Sequence, residues 1–152
     1  MIIRYTPGRA SVPLPSLGGS QVRYRPIISV RVSGPTYSIL RDGYLDTCSD
    51  DVVFPDVVAP RIGVDISTAP QLNVLLAGRG ILPCRFAPVL LLITDGISET
   101  YEWSAVVGFV AVPQFKPLFG YAGFLQFFDA NYRGADREVT ILPNVAFPGR
   151  RI

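Results

Sequence analysis

The amino-acid sequence predicts an all-β protein built around one domain, and three observations support this prediction. Fourteen glycines and fourteen prolines among 152 residues indicate many short elements joined by turns. Apolar residues alternate with polar ones or form short runs between turn residues, as is typical of strands. Only one segment, residues 122–128, has a convincing helical pattern. The length fits a single domain.

The domain is expected to span residues 21–143. Before it, residues 1–20 are rich in proline, glycine and serine, which predicts an extended and partly mobile arm. After it, residues 144–152 form a short tail. The predicted strands of the domain are, in order, residues 26–32, 36–40 with 44–45, 64–66, 72–76, 81–93, 101–112 and 137–142.

Turn residues separate the predicted strands. Asp42-Gly43 predicts a turn or bulge that breaks the second strand. Gly78-Arg79-Gly80 is the predicted tip of a hairpin, and Thr94-Asp95-Gly96 is the turn of the next one. Residues 55–59 predict a short helix, because a proline is favoured near the first turn and Gly63 can end it.

The composition argues against several partners and locations. A net charge of +2 is too small to imply a nucleic-acid partner. The longest apolar runs, near residues 86–93 and 105–112, are shorter than the roughly 18 residues that a membrane span needs. The first residues lack the apolar core of a signal peptide, and two widely spaced cysteines predict neither a disulfide framework nor a zinc site. The simplest expectation is a cytoplasmic protein with reduced thiols and no membrane partner.

The apolar content predicts a subunit interface. Hydrophobic residues make up 49% of the chain and the mean hydropathy is +0.33, which is high for a soluble monomer of this size. A small chain has much surface for its volume, so an apolar excess often lies between subunits. The arginines, which greatly outnumber lysine, are expected to be scattered over the surface.

The chain contains no histidine, and this absence narrows the possible chemistry. Without histidine, the Ser-His-Asp and Cys-His mechanisms and the usual zinc-hydrolase ligand sets are excluded. No glycine-rich phosphate loop of either common pattern is present. A carboxylate pair is one of the few hydrolytic arrangements left, and it needs neither a cofactor nor a metal.

One segment has the residues that such chemistry needs. An apolar strand leads into Asp46-Thr47, then Cys48-Ser49 and the acids Asp50-Asp51, and a second apolar run follows. The segment resembles the active-site loop of retropepsin-like (retroviral-type, clan AA) aspartic proteases, whose pattern is Asp-Thr/Ser-Gly-Ala/Ser after apolar residues. It departs from that pattern at Cys48, which stands where the family has glycine.

A second segment supports the resemblance. Leu118-Phe119-Gly120, followed by the predicted helix, a polar turn and a strand, is similar to the closing part of bacterial single-domain members of the family. Residues 25–142 align with the family without large gaps. The hairpin near residues 76–84 falls where the flap of the family closes over the substrate, so residues 77–83 are the expected flap.

The resemblance implies a closed or partly open β-barrel with one short C-terminal helix, assembled as a homodimer. Asp46 of each subunit would lie at the two-fold axis and activate a water against a peptide bond, and Thr47 would brace the loops across the axis. The remaining residues that the resemblance assigns to binding a peptide or protein substrate are Cys48, Ser49, Asp50, Asp51, Gly78, Arg79 and Gly80. In the family an arginine after the later glycine holds the first of the two acids, and Tyr121 stands there in this chain.

Cys48 leaves three outcomes open. A side chain at this position crowds the groove, and it is disfavoured if the turn needs a positive φ. The loop either tolerates cysteine and stays active, or belongs to a catalytically silent dimer that serves as a binding or assembly module. A third possibility is a redox gate, in which the thiol is oxidised or pairs across the dimer. Apart from the family, Asp46-Thr47 is also compatible with a plain turn of an unrelated all-β structural domain.

Overall fold

The computed structural model describes residues 1–76 and 79–152, and most of them lie in β-strands, which confirms the all-β prediction. A five-residue α-helix, α1 (Val58–Ile62), and two single turns of 3-10 helix at Pro15–Leu17 and Leu125–Phe127 are the helical elements of this described part. The strands are β1 (Ile2–Arg4), β2 (Thr6–Arg9), β3 (Val22–Arg25), β4 (Ile27–Ser33), β5 (Ser38–Leu45), β6 (Val52–Pro55), β7 (Gln71–Leu76), β8 (Gly80–Thr94), β9 (Thr100–Val110), β10 (Leu118–Phe119), β11 (Phe128–Arg133), β12 (Glu138–Pro143) and β13 (Arg150–Arg151).

Eight strands form the main sheet, in the order β13-β9-β6-β10-β5-β4-β8-β7, and β8 pairs with β9 as well. β8 is long enough to pair with three other strands. One of its edges pairs with β9 over residues 84–94, and its other edge pairs first with β7 and then with β4. Smaller sheets of three strands (β1-β12-β11) and two strands (β2-β3) complete the fold.

Most of the core lies on one face of the main sheet, and a smaller buried cluster of Val53, Leu76, Cys84 and Val110 is separate from it. In β4, Ile28, Val30 and Val32 are buried while the intervening Ser29 and Arg31 are exposed, which is the alternation expected of a strand with one solvent-facing side. The aromatic centre of the core is Trp103 of β9, whose indole N–H donates to the carbonyl of Gly123 at 2.9 Å. Its ring packs edge-on against Phe124, Phe128 and Phe147.

The predicted C-terminal helix over residues 122–128 is wrong. Gly123 has a left-handed backbone (φ 92°), which a right-handed helix cannot include, and only the 3-10 turn Leu125–Phe127 remains of the helix. Phe128 already begins β11. The short helix expected at residues 55–59 is present a few residues later, as α1, and Gly63 ends it in the left-handed conformation (φ 77°).

Two strand predictions also need correction. Asp42-Gly43 does not break the second strand, because β4 pairs with β5 along its whole length and opposes Gly43 with Ile28. Gly43 is required by packing instead, since a Cβ there would lie 2.5 Å from the Phe119 ring. Residues 64–66 are not a strand but part of an irregular connection between α1 and β7, although Val64 and Ile66 still pack against the core.

Both predicted hairpins are present. β7 and β8 pair in register from Gln71↔Arg85 to Leu76↔Gly80, and β8 and β9 pair from Cys84↔Val110 to Thr94↔Thr100. The turn between β8 and β9 is held by Asp95, whose Oδ1 accepts the backbone N–H groups of residues 97, 98 and 99. These three bonds hold the pKa of the Asp95 carboxyl well below its usual range.

The N-terminal residues expected to form an arm are paired with the rest of the chain. β1 lies antiparallel to β12, with Ile2 opposite Thr140, and Met1 is buried in the core. β2 pairs with β3, with Thr6 opposite Arg25. Among the described residues, no helix has the length and apolar character needed to cross a membrane.

Candidate active site

The candidate site is the loop of residues 46–51 that joins β5 to β6. β10 lies between these two strands, parallel to β5 and antiparallel to β6. Leu118 is thereby paired with both Tyr44 and Val53, and Phe119 with both Leu45 and Val52. The two segments that the sequence singled out are therefore in direct contact.

Backbone hydrogen bonds tie both sides of the loop to the segment after β10. The N–H of Asp46 donates to the carbonyl of Phe119 at 3.2 Å. On the other side, the N–H groups of residues 121 and 122 donate to the carbonyls of Ser49 and Asp50 at 2.9 and 2.8 Å. The loop is thus held from two directions by main-chain groups, independently of its side chains.

Gly120 lies at the centre of this crossing and is buried. A Cβ at this position would lie 2.4 Å from the carbonyl oxygens of both Ser49 and Asp51, so a larger residue cannot occupy it without moving backbone. The glycine of the later motif is therefore explained by close approach of two backbone segments, since its φ is not positive.

Bonds within the loop fix the Asp46 carboxylate. Asp46 Oδ1 accepts the N–H of Cys48 at 3.0 Å, and the Asp46 carbonyl accepts the N–H of Ser49 at 3.2 Å. The Ser49 hydroxyl donates to the carbonyl of Asp51 at 2.8 Å. Asp46 is half-buried, so one side of its carboxylate is held while the other faces the cleft described below.

Cys48 adopts an ordinary backbone conformation. The one non-glycine residue with a positive φ in the described part of the chain is Arg137, so the turn at Cys48 does not need a left-handed residue. A positive φ, which would disfavour cysteine at this position, is therefore absent. The N–H of Cys48 donates to the Asp46 carboxylate. Its thiol is exposed and borders the cleft, so only the steric argument remains.

The two acids at the end of the loop differ in environment. Asp50 is exposed, whereas Asp51 is half-buried. Burial raises the pKa of the Asp51 carboxyl, and the neighbouring charge of Asp50 raises it further. Behind the loop, burial and then the charge of Asp51 raise the pKa of the buried Cys84 thiol to about 11, so this second cysteine stays protonated and unreactive at neutral pH.

A cleft of about 460 Å³ separates the loop from β7. Five of the six loop residues line it, Thr47 being the exception, and Val53 and Leu118 line it as well. The residues of the cleft wall are Asp46, Cys48, Ser49, Asp50, Asp51, Val53, Leu72, Asn73, Val74, Leu75, Leu76 and Leu118. The acids and an apolar strand thus face each other across a space of small-peptide dimensions.

Three other predicted site residues, Thr47, Arg79 and Gly80, do not line the cleft. Thr47 is exposed at the apex of the loop. Arg79 and Gly80 are exposed at the hairpin tip, where the N–H of Arg79 donates to the Leu76 carbonyl at 2.9 Å and Gly80 is left-handed (φ 77°). Gly78, the third predicted residue of the flap, falls outside the described residues.

Sequence reasoning missed the contribution of β7. The hairpin contacts the cleft through residues 72–76, and residues 79–83 of the expected flap do not line it. Leu72 and Leu75 are 65% and 77% exposed and leave opposite faces of β7, so both faces of the strand carry an exposed apolar side chain. The signal was present in the sequence, because apolar residues on both faces of a strand indicate that both faces have a partner.

Tyr132 of β11 is a second residue that sequence reasoning did not place near the loop. Burial raises the pKa of its phenol, and nearby Tyr5 and the Asp46 carboxylate raise it further. The hydroxyl of Tyr132 therefore stays protonated and able to donate in the neighbourhood of Asp46. Local sequence gives no signal for this placement, since Tyr132 and Asp46 are far apart in the chain.

In the part of the chain that the structure describes, no group of three or more Cys, Asp or Glu side chains is arranged to hold a metal ion. The comparisons with known proteins add no assignment: the chain matches no protein-family model, and no significant match was found among curated proteins.

Proposed function

We propose that this protein is a homodimeric aspartic endopeptidase of the retropepsin-like class. The observation that carries the proposal is the loop of residues 46–51, in which Asp46 faces a cleft while β10 and Gly120 hold its backbone from behind. A carboxylate that is fixed by an N–H on one side and open to a cleft on the other is suited to act on a bound water.

The proposed mechanism needs two copies of Asp46. Two carboxylates placed a few ångströms apart cannot both ionise cheaply, so the pair shares one proton. The ionised member takes a proton from water while the protonated member donates to the scissile carbonyl, and the pair titrates as a unit. Each chain supplies one Asp46, so a symmetric dimer completes the pair, with Thr47 at the exposed apex between the two loops.

The cleft supports a peptide substrate. Leu72 and Leu75 of β7 offer apolar contacts opposite the acidic loop, and β7 is the edge strand of the main sheet. An edge strand has unpaired backbone groups that an extended peptide can bond. In this proposal Cys48, Ser49, Asp50 and Asp51 border the bound peptide, and Gly78, Arg79 and Gly80 lie over it.

The decisive experiment compares cleavage of an unfolded protein substrate by the wild type, Asp46→Asn and Asp42→Asn from pH 4 to pH 7. Asp42 lies four residues earlier on β5, is exposed and bonds Ser29, so its variant controls for the loss of a charge. We expect Asp46→Asn to lose at least about a hundredfold in rate and Asp42→Asn to lose little. Equal rates for the wild type and Asp46→Asn would refute the proposal.

The pH dependence of the wild type is a second test. Because one carboxyl of the pair must keep its proton, we expect the rate to be greatest at acid to mildly acid pH and to fall as the pair loses that proton. A rate that rises steadily through pH 9 would contradict a carboxylate pair.

The second candidate is a catalytically silent dimer of the same fold, and Cys48 is the observation that favours it. Its thiol lies at the cleft wall, where the family has no side chain. The test is Cys48→Gly: cutting by this variant and not by the wild type would identify the cysteine as the block. A redox gate makes a different prediction, namely that activity or subunit mass changes with reducing agent.

A further inference from the structure

The positive charge of the chain is concentrated in its first part. Residues 1–41 contain six arginines and no acid, so the rest of the chain carries twelve acids against eight basic residues. The hairpin of β2 and β3, together with the long connection between them, brings Arg9, Arg23 and Arg25 to one depression of about 250 Å³.

The register of the hairpin distributes these side chains over both faces of the strand pair. Arg23 and Arg25 are two residues apart on β3 and leave one face, whereas Arg9, which pairs with Val22, leaves the other face together with Tyr24. Gly8 lies opposite Arg23, and a Cβ at Gly8 would meet only the Arg23 carbonyl, at 3.8 Å. The missing side chain therefore leaves open space beside the Arg23 backbone.

A second depression of about 420 Å³ adjoins the first, because Arg23 borders both. It adds two tyrosines, Tyr5 and Tyr24, and a further cation, Arg137. The guanidinium of Arg137 lies 4.0 Å from the centre of the Tyr24 ring. The surface is therefore basic and aromatic, not basic alone.

Acids of the protein do not neutralise this surface. Arg25 donates to the hydroxyl of Tyr44 at 2.8 Å, and Lys116 lies 5.8 Å from the centre of the same ring. The ion pairs between described residues include none of Arg9, Arg23, Arg25, Lys116 and Arg137, five residues that we call the arginine face. Arg23 also lacks a side-chain hydrogen bond to any described residue.

We propose that the arginine face binds an acidic segment of a polypeptide. Guanidinium groups match carboxylates in geometry, and charge-assisted bonds between them are stronger than neutral ones. The tyrosines supply contact area for the apolar parts of the same segment. This binding is distinct from cleavage and does not depend on the proposed protease activity.

The neighbourhood of the arginine face favours a polypeptide over a nucleic acid. β3 leads through Pro26 directly to the candidate site, since the Pro26 carbonyl accepts the N–H of Leu45 at 2.9 Å. The acids Asp46, Asp50 and Asp51 therefore lie beyond the edge of the basic surface and repel a continuous polyanion. A polypeptide can confine its carboxylates to the basic part and continue uncharged towards the acids.

The experiment measures fluorescence anisotropy of a short labelled peptide that alternates glutamate with leucine, and of its glutamine counterpart. Asp46→Asn protein is used throughout so that cleavage cannot interfere. The Asp46→Asn protein is compared with two variants made in the same background. One adds Arg9→Gln and Arg23→Gln, and the other adds Arg31→Gln and Arg61→Gln as a charge-matched control. Arg31 and Arg61 are exposed and lie near the far end of β4, away from Pro26.

We expect the glutamate peptide to bind and the glutamine peptide to bind at least tenfold more weakly. Arg9→Gln/Arg23→Gln should weaken binding of the glutamate peptide by at least tenfold, and the control pair should change it by less than about threefold. Equal losses in the two double variants, or equal binding of the two peptides, would overturn the proposal. Tighter binding of a single-stranded RNA of the same charge would overturn the choice of a polypeptide. Because binding is read directly, a failure here is distinguishable from a failure to cleave.

Discussion

Gly120 is the residue on which the position of the Asp46 loop depends most directly, because backbone oxygens of Ser49 and Asp51 occupy the place of its missing side chain. We expect Gly120→Ala to lower the free energy of unfolding by about 2 kcal/mol or more, since backbone must move to admit the methyl group. The matched control is Gly134→Ala, where a Cβ meets nothing within 4 Å and φ is not positive, so its effect should stay within about 0.5 kcal/mol. Urea unfolding of both variants measures the difference, and equal effects would contradict the close approach.

The ionisation of Asp51 is a further prediction at this scale. Burial and the charge of Asp50 raise its pKa, so its proton is bound more tightly in the folded than in the unfolded chain. This favours folding while the carboxyl is protonated, and the contribution is lost as the pH rises through the folded pKa. Asp50→Asn removes one of the two causes and should lower the pKa of Asp51, as followed by NMR titration of its side-chain carbon. An unchanged or higher pKa would show that Asp50 is not a cause.

At the scale of elements, Trp103 anchors the segment that replaces the predicted helix. Its indole N–H donates a hydrogen bond to the carbonyl of Gly123, and its ring packs against Phe124, Phe128 and Phe147. Trp103→Phe should lower the free energy of unfolding by about 2–4 kcal/mol, because it leaves a buried carbonyl unpaired and a cavity beside it. Tyr101→Phe, which removes only a partly buried hydroxyl bonded to Glu99, should cost no more than about 1.5 kcal/mol. Chemical unfolding of the two variants distinguishes these values.

The elements also show what local sequence can predict here. Strand alternation in β4 and the turn at Asp95 are local signals, and the structure confirms both elements. The predictions of a strand break at Gly43 and of a helix over residues 122–128 were wrong because these conformations are set by packing against Phe119 and Trp103, which are distant in sequence. β10 has only two residues, and its partners are more than sixty residues away, so no local pattern predicts it. The sequence indicated the Asp46 loop through its acidic residues, whereas the positions of β7 and Tyr132 near the loop are visible only in the fold.

At the scale of the whole molecule, the proposed reaction requires association of two chains. The exposed apolar side chains, such as Leu75 at 77% and Ile81 at 70%, agree with a surface that has partners. We expect the activity per chain to fall on dilution as the dimer dissociates, and the loss to coincide with the change in mass seen by sedimentation. Activity per chain that stays constant in a sample shown to be monomeric would rule out a catalytic pair shared between subunits.

The position of β10 between β5 and β6 has a consequence for how the chain is synthesised. β5 and β6 are not hydrogen-bonded to each other across the Asp46 loop, because β10 (residues 118–119) lies between them. The loop therefore lacks its contacts with β10 until the ribosome has synthesised residues 118–119. Long-range pairing of this kind is slow to form, because the ends of a long loop must first meet. A nascent chain that already contains Asp46 therefore lacks the framework that positions it. If the protein is the proposed protease, the enzyme stays inactive during synthesis until most of the polypeptide is complete.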